Sequence, residues 1–260
     1  MNDIDPEEDG GIRQVTERIG VVFQDPDAQL VQGRVEDEVA FGPENMRCDK
    51  KEVEHRVAES LDAVDLSDYR MDNVHNLSGG QRQRAAIAAV LSLETPILVL
   101  DEPAASLDAT AKERLLLLLN KLRGQGCTIV TLSGRIDEFA AAAGRLIVLE
   151  HGKIILDGPS QHLLERERVS LVKLGLLPDR IQREGYASST LEAEGQPQIG
   201  SSVKPLLKIK DLSYAYDLNK GDVLKNINLS LYAGEWLLLC GKTGREDDTV
   251  ASVHGSAHTS

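Results

Sequence analysis

Apolar positions along this chain follow two spacings. In residues 50–64, Val53, Val57, Leu61 and Val64 recur every three or four positions with acids and bases between them, which predicts an amphipathic helix. The Ala-rich run "GGQRQRAAIAAVLSL" after Ser78 predicts a second helix, and residues 109–123 a third. Elsewhere the apolar residues run together. "RIGVVFQ" (18–24), "PILVLDEP" (96–103) and "CTIVTLS" (127–133) predict short buried strands, and "RLIVLEHGKIILDG" (145–158) a hairpin around His151-Gly152. Turn chemistry stands at Asp25-Pro26-Asp27 and at Gly42-Pro43.

Strands alternating with helices up to about residue 145 imply an α/β fold with a largely parallel sheet. Between about 178 and 204 the pattern gives way to linker composition, "PDRIQREGYASSTLEAEGQPQIGSSVKP". A strand-rich segment follows, "LLKIKDLSYAYD" and "LKNINLSLYAGEWLLLC". Its alternation predicts an antiparallel sheet edge, separate from the first domain.

Composition narrows the setting. The 260 residues are 41% hydrophobic but only 3% aromatic, so the core is built from Leu, Val, Ile and Ala. A net charge of -13 argues against a general nucleic-acid surface, which needs clustered Lys and Arg. The longest leucine run, 115–119, is flanked by Lys112, Arg114 and Lys121 and falls far short of a membrane span. The acidic opening "MNDIDPEEDGG" is the opposite of a secretory signal, and Cys48, Cys127 and Cys240 match no metal spacing, which suggests reduced thiols in a cytosolic protein.

Chemistry is concentrated in "NLSGGQRQR" (76–84). Ser78 can cap a helix, and Gly79 and Gly80 leave backbone N–H groups open to an anion at the positive end of the helix dipole. A capped helix with a glycine pair would read the same way alone; the strand ending in Asp101-Glu102 shortly afterwards makes the run more specific. Asp101 is placed to hold Mg²⁺, and Glu102 to orient an attacking water. Gln24, at another strand end, is suited to reach both metal and water.

Gln24, "LSGGQRQR", "ILVLDEP" and "SLD" (106–108) occur in the order and spacing of ATP-binding cassette ATPases. They resemble the glutamine loop, the signature motif, Walker B with its catalytic glutamate, and the D-loop. The stretch "VVFQDPDAQLVQGRVEDEVAFGPENM" is especially similar to ATPase subunits of energy-coupling-factor importers for cobalt and vitamins. The likeness covers residues 12–165 and resumes near 205, where the chain looks like the opening of a second cassette.

The resemblance implies a P-loop NTPase-like core with a helical subdomain at about 27–92, plus an antiparallel β start of a second cassette. Its expected domains are the C-terminal part of a first cassette at 1–170, a linker at 171–204, and the β part of a second cassette at 205–260. Implied cofactors are ATP and Mg²⁺. Glu102 and Gln24 would be catalytic, with Asp101 and Gln24 on the metal. Ser78, Gly79, Gly80, Gln81, Asp108, Tyr216, Gly241, Gly244 and Thr249 would face nucleotide, Tyr216 by stacking on adenine. Implied partners are a second ATPase domain or subunit, a transmembrane coupling protein seated near Gln24 and residues 27–75, and a substrate-specificity membrane component, with no nucleic acid. The expected location is cytoplasmic, on the inner face of the cell membrane.

Three departures qualify these expectations. The chain begins only a little before the glutamine-loop strand, so the first cassette is expected to lack its phosphate loop. Gly134, after Ser133, stands where the family has a switch histidine, and glycine cannot polarise a γ-phosphate, so turnover should be slow. "GKTGREDDTV" keeps Gly241 and Gly244, but Glu246, Asp247 and Asp248 replace the glycine, lysine and hydroxyl residue of a Walker A loop, with Thr249 after them. The expectation is a fragment or frameshifted product with no complete ATP site. An alternative remains open: a non-catalytic subunit that lends its signature face to a complete cassette on another chain.

Overall fold

The computed structural model describes residues 15, 17–105, 107–178, 204–215 and 223–241. The chain divides into two compact units, residues 1–131 and 132–260.

In the first unit, strand β1 (Ile19–Val22) pairs in parallel with β2 (Ile97–Asp101), Ile19 opposite Ile97 and Val22 opposite Leu100. Between them the chain builds a helical part. A short helix α1 (Pro26–Gln29) is followed by α2 (Val35–Asn45), α3 (Lys50–Ala63) and α4 (Gly79–Leu91). Asp49 sets the start of α3 by accepting a hydrogen bond from Glu52 N at 3.0 Å. Of the apolar stripe read from the sequence, Val57, Leu61 and Val64 are buried, in a core with Val35, Val39 and the Ala85–Ala88 face of α4, while Val53 is half-buried. Small residues on α4 let it approach β1 closely. A Cβ on Gly20 would lie 2.2 Å from Val90 Cγ1, so the strand carries glycine at that crossing.

Within α2, Glu38 is buried, yet its Oε2 accepts hydrogen bonds from Val31 N (2.8 Å) and Gln32 N (2.6 Å). A carboxylate so satisfied fixes the chain between α1 and α2. After β2, Asp108 caps α5 (Ala109–Gly124), accepting from Ala111 N at 2.8 Å. Strand β3 (Thr128–Ser133) follows, and Thr128 N donates to Pro96 O at 3.1 Å.

The second unit contains α6 (Glu138–Ala142) and the antiparallel hairpin of β4 (Arg145–Glu150) with β5 (Lys153–Pro159). The hairpin turns at His151 (φ 49°) and Gly152 (φ 75°), as its sequence predicts. Helices α7 (Ser160–Arg166) and α8 (Arg168–Lys173) come next. Strands β6 (Leu207–Tyr214) and β7 (Leu224–Leu231) form an antiparallel pair, in agreement with the expected sheet edge.

β8 (Trp236–Gly241) also belongs to the second unit. It pairs in parallel with β4, Arg145 opposite Leu237 and Leu149 opposite Gly241. The physical reason lies in composition: β8 is almost continuously apolar and buried on both faces, as interior parallel strands are. Trp236 is 1% exposed and meets Phe139 edge to face, ring centroids 6.4 Å apart. Arg145 anchors the arrangement. It forms two 2.7 Å bonds to the Asp157 carboxylate and donates through Nη1 to Ser230 O at 2.8 Å, with Glu235 at 3.3 Å. The interior of the expected linker, residues 179–203, lies outside the described residues.

Candidate functional site at the head of helix α4

Helix α4 begins with a reciprocal cap. Ser78 Oγ accepts from Gln81 N at 3.3 Å, while Gln81 Oε1 accepts from Ser78 N at 2.8 Å. Two side chains of the signature run therefore define where the helix starts. Gly79 meets no neighbour where a Cβ would stand, and a Cβ on Gly80 would lie 3.2 Å from Ala111 Cβ. The glycine pair thus keeps backbone N–H groups accessible and lets the start of α5 come near.

Five of the expected nucleotide-facing residues, Ser78, Gly79, Gly80, Gln81 and Asp108, line one cavity of about 730 Å³. Asp65, Tyr69, Arg84 and Arg114 line it too. Capping accounts for Asp108 as well as for Ser78, so Asp108 holds the start of α5. The arrangement combines a helix N-terminus, exposed amides and two guanidinium groups, and its chemistry suits an anion.

Asp101 closes β2 and Glu102 follows in the left-handed region (φ 44°), an unusual backbone state for a glutamate. Both are half-buried, and neither lines the α4 cavity. Gln24 is exposed in the turn between β1 and α1. Mg²⁺ takes one or two carboxylates and completes its shell with water and phosphate oxygens, a donor set that Asp101 fits. Among the described residues no cluster of three His, Cys, Asp or Glu could cage a metal.

In the second unit, Gly134 sits half-buried in the bend after β3, and Ser133 Oγ accepts from Arg135 N at 3.4 Å. The Cys240 thiol donates to Arg135 O at 3.8 Å, which brings the end of β8 to the bend after β3. Tyr216, Gly244 and Thr249 lie outside the described residues.

Sequence reasoning missed several residues around these elements. Gln29 bridges β1 to α1: its Oε1 accepts from Phe23 N at 3.0 Å and its Nε2 donates to Val21 O at 3.1 Å. Arg82 Nε lies 2.7 Å from Asp27 Oδ1, an ion pair too bent for a hydrogen bond. Arg82 and Arg84 stand inside the run 76–84 itself.

Comparison with known proteins gives one answer from three directions. A family model for the ABC transporter matches residues 1–105. The chain is 38% identical to the energy-coupling factor transporter ATP-binding protein EcfA1 of Symbiobacterium thermophilum, over 76% of this chain and 67% of that protein. It is 43% identical to EcfA of Carboxydothermus hydrogenoformans over 60% of this chain and 58% of that protein. A putative ABC transporter ATP-binding protein of Methanosarcina mazei matches 93% of the chain at 33% identity. The chain spans 47% of that relative's length. Among solved structures, cbiO1 of Clostridium perfringens, described as part of the ABC transporter complex cbiONQ, superposes with a TM-score of 0.60 at 34% identity. That match covers 66% of this chain and 68% of cbiO1. With its capped glycine pair, its Asp-Glu strand end and this extent of identity, the chain belongs to the family of ABC transporter ATP-binding proteins.

Proposed function

We propose that this chain supplies ATP-binding and ATP-hydrolysing elements to an energy-coupling-factor type importer, driving solute uptake through a transmembrane coupling protein and a substrate-specificity membrane component. The observation that carries the reading is the cavity at the head of α4, where Ser78, Gly79, Gly80, Gln81 and Asp108 converge. Ser78 and the two glycine amides would hold the terminal phosphate of a nucleotide, and Asp101 would hold Mg²⁺, which supplies charge neutralisation when bound. Glu102 accepts a proton from water or orients it. Gly134 contributes no side chain to that water, so turnover at a site built on this position is slow.

The partner side of the reading is supported by apolar exposure in the helical part. Val31 is 66% exposed and Met71 61%, although the chain around them is held by Val35 N to Asp72 O and Val74 N to Gly33 O. We place the coupling protein there, with the chain on the cytoplasmic face of the membrane. No described helix is long and apolar enough to cross a membrane.

Glycine at the switch position favours a second reading, a subunit that lends its signature face to a complete cassette without turning over nucleotide itself. Mixing the purified chain with an intact cassette protein separates the two. Mg²⁺-dependent ATP hydrolysis that rises on mixing and falls at least tenfold with Glu102→Gln in this chain supports the first. ATP-dependent association without any effect of Glu102→Gln supports the second. Neither association nor turnover would overturn both.

A further inference from the structure

Two arginines of the α4 cavity are held by no salt bridge, although Asp65 lines the same cavity. Arg84 on α4 and Arg114 on α5 both line it, and neither forms an ion pair among the described residues. Arg84 Nε is buried with no hydrogen-bond partner. Elsewhere Arg56 pairs with Glu52 and Glu94, Arg70 with Glu36, Arg82 with Asp27, and Arg145 with Asp157 and Glu235. Burial, and next the nearby charge of Arg114, lower the Arg84 pKa, while Asp65 and Tyr69 act the other way.

We propose that Arg84 and Arg114 form a phosphoryl-binding subsite, in the same cavity as Gly79 and Gly80 but distinct from the amides of that pair. A guanidinium presents a planar fork that meets two oxygens of a phosphoryl group at once, and two such forks match a diphosphate better than a single oxyanion. The cavity, about 730 Å³, has room for a nucleotide phosphate chain or for free pyrophosphate. The inference rests on the reading of this cavity as a phosphate-facing surface and does not depend on turnover.

The test uses the full chain without any partner, titrated at low salt with inorganic pyrophosphate, inorganic phosphate, ATP and citrate, and followed by ³¹P resonance and melting temperature. Saturable pyrophosphate binding is expected, weakened about tenfold or more by Arg84→Gln and by Arg114→Gln. Tighter binding of ATP than of pyrophosphate names a nucleotide as the source, and the reverse names free phosphate; either supports the subsite. Without ligand, Arg84→Gln should melt no lower than the parent, because an uncompensated guanidinium opposes folding. Equal binding by parent and both variants overturns the proposal, as does citrate binding as well as pyrophosphate. A lowered melting temperature of Arg84→Gln with unchanged binding by Arg114→Gln assigns Arg84 a structural role and also overturns it. Should Arg84→Gln fail to fold, the exposed Arg114→Gln decides alone. Pyrophosphate binding with no hydrolysis beside an intact cassette would remove the ATPase reading and leave this subsite standing.

Discussion

Arg82 of helix α4 lies 2.7 Å from Asp27 of helix α1, so the head of the signature helix is tied to the segment that follows Gln24. Gln29 ties the same segment to β1 through Val21 and Phe23. The segment after Gln24 is thereby held between β1 and α4. Asp27 is 59% exposed, so Asp27→Asn should cost no more than about 0.2–1 kcal/mol of global stability. Its effect should be local, seen as faster amide exchange over residues 25–30 with an unchanged urea midpoint.

Packing between α4 and β1 leaves no room at Gly20. Gly20→Val would press on Val90 and on Thr95 Oγ1, which stands 2.8 Å from the place a Cβ would take. Overpacking of this kind costs about 1–3 kcal/mol. Urea unfolding should show the loss, and the double variant Gly20→Ala with Val90→Ala should recover part of it.

Arg145 joins β4 to β5, to Ser230 and to Glu235, whose side chain is 9% exposed. Arg145→Met removes the charge that compensates Glu235 and should destabilise the second unit by about 1–3 kcal/mol. Trp236 is the natural reporter, since it is the single tryptophan and is buried against Phe139. Its fluorescence transition should move to lower denaturant, and Arg145→Lys should rescue only part, because an ammonium cannot make the paired bonds to Asp157.

Glu36 is held below its ordinary value by the hydrogen bond from Arg70, Nη2 to Oε1 at 2.6 Å. A carboxylate with a depressed folded-state pKa adds stability that is fully present above the unfolded value of 4.5 and lost as pH falls through the folded value. Stability measured from pH 6 down to pH 3 should fall less steeply in Glu36→Gln than in the parent. Equal slopes would show that the pair contributes nothing.

The chain's helices and strands were legible wherever local signals agreed. Val53, Val57 and Leu61 reported one helix face, Ser78 reported a helix start, and His151-Gly152 reported a turn. Ser78, Gly79 and Gly80 announce themselves through capping and glycine chemistry, and the family resemblance added Gln81 and Asp108 to them. Arg84 and Arg114 do not announce themselves, since an arginine on a helix gives no local sign of whether an acid will face it; that depends on residues far away along the chain. The pairing of β8 with β4 was equally hidden. Periodicity showed that residues 236–240 form a buried strand, but which strand lies beside it is set by long-range contacts such as Arg145 with Ser230.

That pairing has a consequence for the birth of the protein. The residues of β8 leave the ribosome roughly ninety positions after the β4 residues they face. At a synthesis rate of about 5–20 residues per second, β4 waits on the order of ten seconds with its apolar Leu146–Leu149 run unpaired on that side. Nascent chains stalled before residue 236 should therefore be the most prone to aggregate, and those that pass residue 241 the first to resist it.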